Sequence, residues 1–125
     1  MAGAIKISDG EGWSAASWVF DHVLRQSVPF IPAENERLLS EVKKGVIEDG
    51  LDYIDLSEVS HTDKRVFLRA LEDGFRLTES QGDKSFADPE FYPGFIERFK
   101  ELIDAVSSNV AQAEDGQRGA DNGEI

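Results

Sequence analysis

Residues 50–63 read GLDYIDLSEVSHTD, and their interpretation decides the fold. A glycine suited to ending a helix precedes a short apolar run, a loop rich in oxygen groups and a helix start. Within residues 51–56, Leu51 and Tyr53 face one way and Ile54 and Leu56 the other. With both faces partly covered, the segment reads as an inner strand of a small sheet packed by helices. Ser60 and Asp63 stand at capping-box spacing, with Asp where Glu or Gln is preferred, so a helix opens at about His61.

Upstream, residues 34–48 carry an apolar stripe of Leu38, Leu39, Val42 and Val46, with acids in the first turn and Gly50 as the stop. The proline-punctuated residues 27–33 (SVPFIPA) form an extended connector anchored by Phe30 and Ile31. The periodicity predicts a first helix over 13–26, burying Trp13, Ala16, Val19, Phe20, Val23 and Leu24. Its other side presents Trp18, Asp21, His22 and Arg25. Trp18 and His22 are four apart and can touch. Residues 4–7 alternate apolar and polar before Ser8-Asp9-Gly10, which gives a strand and a turn.

Downstream, Phe67, Leu68, Leu71 and Phe75 define a helix over 61–77 that contains Gly74. Smooth apolar spacing across Gly74 favours a continued helix, since an interior glycine costs only about 1 kcal/mol relative to alanine. The alternative ends the helix at Gly74, makes 75–79 a third strand and shifts the class to α/β. Asp88 and Pro89 mark a helix entry and Pro93 a kink. The main helix over 94–110 follows, with Phe95, Ile96, Phe99, Leu102, Ile103, Val106 and Val110 on its stripe. The expected fold is α+β: about four helices on a two-stranded sheet, in the order β-α-α-β-α-α. One domain covers 1–113, and the polar residues 114–125 form a disordered tail.

With 25 acidic and 13 basic residues the formal net charge is −12. That field repels nucleic-acid backbones and anionic lipid, so neither is an expected partner. The absence of cysteine excludes disulfides, thiolate metal sites and a cysteine nucleophile. No apolar run approaches the roughly 20 residues of a membrane span, and the start lacks a secretory pattern; the cytoplasm is the expected location.

Asp52, Asp55, Glu58, His61 and Asp63 are the candidates for acid–base or metal chemistry, placed between a strand end and a helix start. No metal-ligand spacing, nucleophile elbow or phosphate loop accompanies them. Each residue also has a structural explanation as a cap or strand flank. No enzyme activity, metal or cofactor is therefore expected. Residues 45–63 hold six acids (Glu48, Asp49, Asp52, Asp55, Glu58 and Asp63) and no Lys or Arg. Such a local field steers basic partners. The expected binding residues are Trp18, His22, Glu48, Asp49, Asp52, Tyr53, Asp55 and Glu58, an acidic rim with aromatic anchors. The function expected is a small acidic binding protein that masks a basic protein or peptide, in its sharpest form an immunity-type inhibitor of a toxin. The alternative is an adaptor or assembly subunit working through apolar surface, including as a homodimer.

Overall fold

The computed structural model describes residues 2–44, 53–86 and 88–123. Among the described residues, four helices pack against a three-stranded mixed sheet, an α+β arrangement. The strands are β1 (Ala2–Ser8), β2 (Glu11–Ala16) and β3 (Tyr53–Asp55). The helices are α1 (Ser17–Ser27), α2 (Glu36–Lys43), α3 (His61–Gln81) and α4 (Tyr92–Gly123).

β1 is the central strand. It pairs antiparallel with β2 through Ile5↔Trp13 and Ala4↔Ser14, and parallel with β3 through Ile5↔Ile54 and Ala4↔Tyr53. Asp9 and Gly10 make the hairpin turn, and Gly10 at φ 86° occupies the left-handed region a tight turn demands. Period-two alternation sends Ile5, Ile7, Trp13, Ala15 and Ile54 into the core. Ala4, Lys6, Ser14 and Tyr53 are left on the opposite, solvent-facing side.

Two expectations about the sheet are corrected here. Residues 13–16 are strand rather than helix, so the sheet has three strands and α1 begins at Ser17. The segment EGWSAA lacks β-branched residues, and Trp13 and Ala16 fit a helical wheel by coincidence. Pairing with β1 across the Asp9-Gly10 turn overrides that local preference. β3 is an edge strand with one face open, because Tyr53 is exposed while Ile54 and Leu56 are buried.

α1 buries Val19, Phe20, Val23 and Leu24, and Phe20 packs so close to β1 that a Cβ at Gly3 would fall 2.3 Å from its Cγ. The connector after α1 is a 3₁₀ turn, Val28–Phe30, rather than extended chain. Ile31 is its anchor, whereas Phe30 is exposed. The predicted span of α2 beyond Lys44, with Val46 and the Gly50 stop, lies outside the described residues.

α3 runs unbroken through Gly74, so 75–79 is helix and the α/β alternative falls. Ser60 caps it as expected, its side chain accepting from the Asp63 N–H at 3.1 Å. At the far end Gly82, at φ 63°, turns the chain into a short 3₁₀ segment. Asp88 accepts from the Glu90 N–H at 3.0 Å and caps a second 3₁₀ turn, Pro89–Phe91, that feeds α4. Phe95, Phe99, Leu102, Val106 and Val110 of α4 complete the core. The helical backbone continues past Ala113 to Gly123. No described helix is long and apolar enough to cross a membrane.

Candidate protein-binding surface

Those predicted binding residues that the structure describes fall into two groups that meet different elements. Tyr53, Asp55 and Glu58 lie on and after β3. Asp55 is tied down locally: its Oδ1 accepts from the Ser57 N–H at 2.9 Å and from the Ser57 hydroxyl at 2.6 Å. Those two bonds hold the Asp55 carboxyl below the usual carboxylate range, against a smaller opposing effect of burial, and Lys6 adds to the lowering. The Asp55 N–H, on the strand edge turned away from β1, donates to Glu41 Oε1 at 3.2 Å. A side chain of α2 thereby covers an otherwise open strand edge. Arg37, Glu41, Asp55, Glu58 and Val59 enclose a shallow polar cleft of about 190 Å³ here. Glu58 itself is exposed. Lys6, the register partner of Asp55 on β1, pairs with Asp9 at 3.3 Å, and mainly for that reason its pKa is raised.

Glu48, Asp49 and Asp52 lie outside the described residues. Of the acid–base candidates, Asp55 serves Ser57, and Asp63 Oδ1 accepts from Asn35 Nδ2 at 2.9 Å. Among the described residues no three His, Cys, Asp or Glu side chains gather as a metal site would require.

Trp18 and His22 belong to an aromatic cluster at the junction of α1 with the start of α4. Trp18 stacks on the buried Phe95 at 6.0 Å between centroids and 24° between planes. Phe91 stands beside it at 5.7 Å and 52°. His22 packs between Phe86 at 5.0 Å and Phe95 at 4.8 Å. Burial there pushes the His22 imidazole below its ordinary pKa, with the Asp21 charge opposing, and Nε2 is buried without a hydrogen-bond partner. The imidazole thus sits in the cluster as a neutral ring. Trp18 keeps 46% of its surface exposed and Phe91 57%. Together with Ala16, Gly94, Glu90 and Glu97 they border a cleft of about 410 Å³.

Sequence reasoning identified Trp18 but missed Phe91 and Gly94, which it assigned to a helix entry. Their shared exposure depends on how α4 crosses α1, and no local pattern encodes that. The outer face of the sheet was missed as well. Tyr53, Ala4, Ser14 and Lys6 border a second shallow hollow, of about 320 Å³. Its signal was the small-residue alternation Gly12, Ser14, Ala16 within the unrecognised β2.

No family model matches the sequence, and no curated protein matches it. Among solved structures, the chain is similar to one chain of a complex described as a CdiA-CT toxin from Burkholderia pseudomallei E479 with its cognate CdiI immunity protein. The TM-score is 0.65 at 16% identity, covering 83% of this chain and 92% of that chain. The likeness is one of fold.

Proposed function

We propose that this chain is a binding protein of the immunity type, which masks a basic protein partner and so neutralises it. The observation that carries the reading is the shared fold with a chain of a toxin–immunity complex. That complex contains two proteins with opposite roles, and the charge of −12 favours the masking role for this chain. A carboxylate-rich surface attracts a basic partner over a long range and suppresses wrong encounters. The commitment of Asp55 to Ser57 and of Asp63 to Asn35 further supports binding over catalysis. In this reading the contact surface is the edge around Tyr53, Glu41 and Glu58. The cytoplasm is its place of action.

The test is affinity capture at low and at high salt, followed by work with the purified captured protein. A basic polypeptide held stoichiometrically at low salt, released at high salt, and harmless to growth only when this chain is co-expressed is the expected result. Glu58→Lys should weaken the capture; an unchanged affinity in that variant would remove the acidic edge from the interface. Asp55 and Glu41 are left intact because reversing them would also break the Ser57 turn and the bond from the Asp55 N–H to Glu41.

A second reading rests on the open outer face of the sheet, where Tyr53 is 46% exposed beside Ala4 and Ser14. Self-association through that face gives a homodimer that persists in high salt. Sedimentation of a strict monomer at high protein concentration would exclude it.

A further inference from the structure

We infer that the cleft bordered by Trp18 and Phe91 is a seat for one arginine side chain of the partner, an inference that rests on the basic partner proposed above. The two rings pack against each other, 52° apart at 5.7 Å between centroids, and each keeps about half of its surface exposed beside the cleft. Trp18 is backed by the buried Phe95, which fixes its plane. Rigid exposed aromatics of this kind are the residues from which interface hot spots are built. Beside them the floor of the cleft is nearly bare. Ala16 contributes a methyl group, and a Cβ at Gly94 would meet no atom within 4 Å.

Charge decides which occupant fits. Glu90 and Glu97 border the cleft, both exposed, and neither has an ion-pair partner among the described residues. Among the described residues that line the cleft, the one cation, Arg98, is already engaged. It donates to the Ser14 carbonyl, pairs with Glu101 and lies over the Trp13 ring at 5.6 Å. The cleft therefore offers two unneutralised carboxylates and two aromatic faces. A guanidinium matches both: its plane stacks on an aromatic ring, its donors reach carboxylates, and its methylene stem covers apolar surface.

The test uses acetyl-Gly-Gly-Arg-Gly-Gly-amide, with the citrulline peptide as its neutral planar counterpart, followed by NMR at the Trp18 indole N–H and the Gly94 amide. The arginine peptide is expected to shift both resonances saturably. Affinity should fall about tenfold or more with the citrulline peptide and in Glu90→Gln/Glu97→Gln. Gly94→Leu should fill the floor and abolish the shifts. If that variant does not fold, the double glutamine variant, altered only at exposed side chains, carries the test. Equal shifts from the citrulline peptide, no shift at either resonance, or shifts unchanged in the variants would overturn the proposal. So would concentration-dependent shifts at these resonances in the protein alone, which would make a second copy the occupant. Because the peptide is tested without the partner, its failure leaves the masking role standing. Failure of the Glu58 reversal would leave the cleft standing.

Discussion

A Cβ placed on Gly74 of α3 would lie 2.7 Å from Ser27 Oγ of α1, and 2.9 Å from the Gln26 carbonyl oxygen. The two helices touch backbone to backbone at this point. The buried hydroxyls around the contact are satisfied within their own helices: Ser27 Oγ donates to the Val23 carbonyl at 2.8 Å, and Thr78 Oγ1 to the Gly74 carbonyl at 2.9 Å. Gln26 Nε2 then reaches across to Thr78 Oγ1 at 3.1 Å and to Gln81 at 2.9 Å.

Gly74→Ala should therefore destabilise the protein despite the better helix propensity of alanine. Propensity favours the change by about 1 kcal/mol, whereas overpacking against backbone costs about 1–3 kcal/mol. Urea unfolding is expected to give a net loss, and Ser27→Ala added to it should recover only part, because the Gln26 carbonyl remains. A stabilised Gly74→Ala protein would show that α1 and α3 sit further apart.

The α3 cap gives a second stability prediction. Ser60→Ala leaves the Asp63 N–H without its acceptor and should cost about 1 kcal/mol. Ser60→Asp should hold most of that stability. Equal losses in both variants would mean that the cap geometry is not formed.

His22 links stability to pH. Its folded-state pKa lies below its value in the unfolded chain, so between those two values the unfolded chain binds more protons. The contribution of the neutral ring is complete above pH about 6.5 and is lost as the pH falls toward the folded-state value. Unfolding free energies measured from pH 7.5 to 5 should fall more steeply in the wild type than in His22→Phe. Parallel curves would place His22 in water.

The two tryptophans should separate by quenching. Trp13 is 7% exposed and its Nε1 donates to the Arg98 carbonyl at 3.2 Å, while Trp18 is 46% exposed. Trp18→Phe should leave blue-shifted emission that acrylamide quenches poorly. Trp13→Phe should leave a readily quenched signal. The reverse order would contradict the placement of residue 13 on a buried strand face.

The legible parts of this fold were those with long apolar periods or explicit end signals. The stripes of α3 and α4, the Ser60 cap and the Asp88-Pro89 entry are local, and each was found where residues three or four apart share a face. β2 escaped because Trp13 and Ala15 are the only apolar markers of its inward face, and alanine and serine suit either state. Its strand character comes from β1, across a turn. The binding surface was legible in composition but not in arrangement. Tyr53 and Trp18 were both marked as anchors, yet the chain delivers one to the sheet edge and the other to the α1–α4 junction, a separation set by packing alone.

β1 comes first in the chain and sits in the middle of the sheet. Its antiparallel neighbour follows after a two-residue turn, so that hairpin can close on a microsecond timescale. The parallel pairing of Ala4 with Tyr53 must wait until the hairpin, α1 and α2 have all been made. Until then β1 presents an unpaired edge flanked by Ile5 and Ile7, a template for strand addition by another chain. Damage to β3 is thus expected to appear first during synthesis and refolding, as aggregation through β1, before any loss of stability in molecules that have already folded.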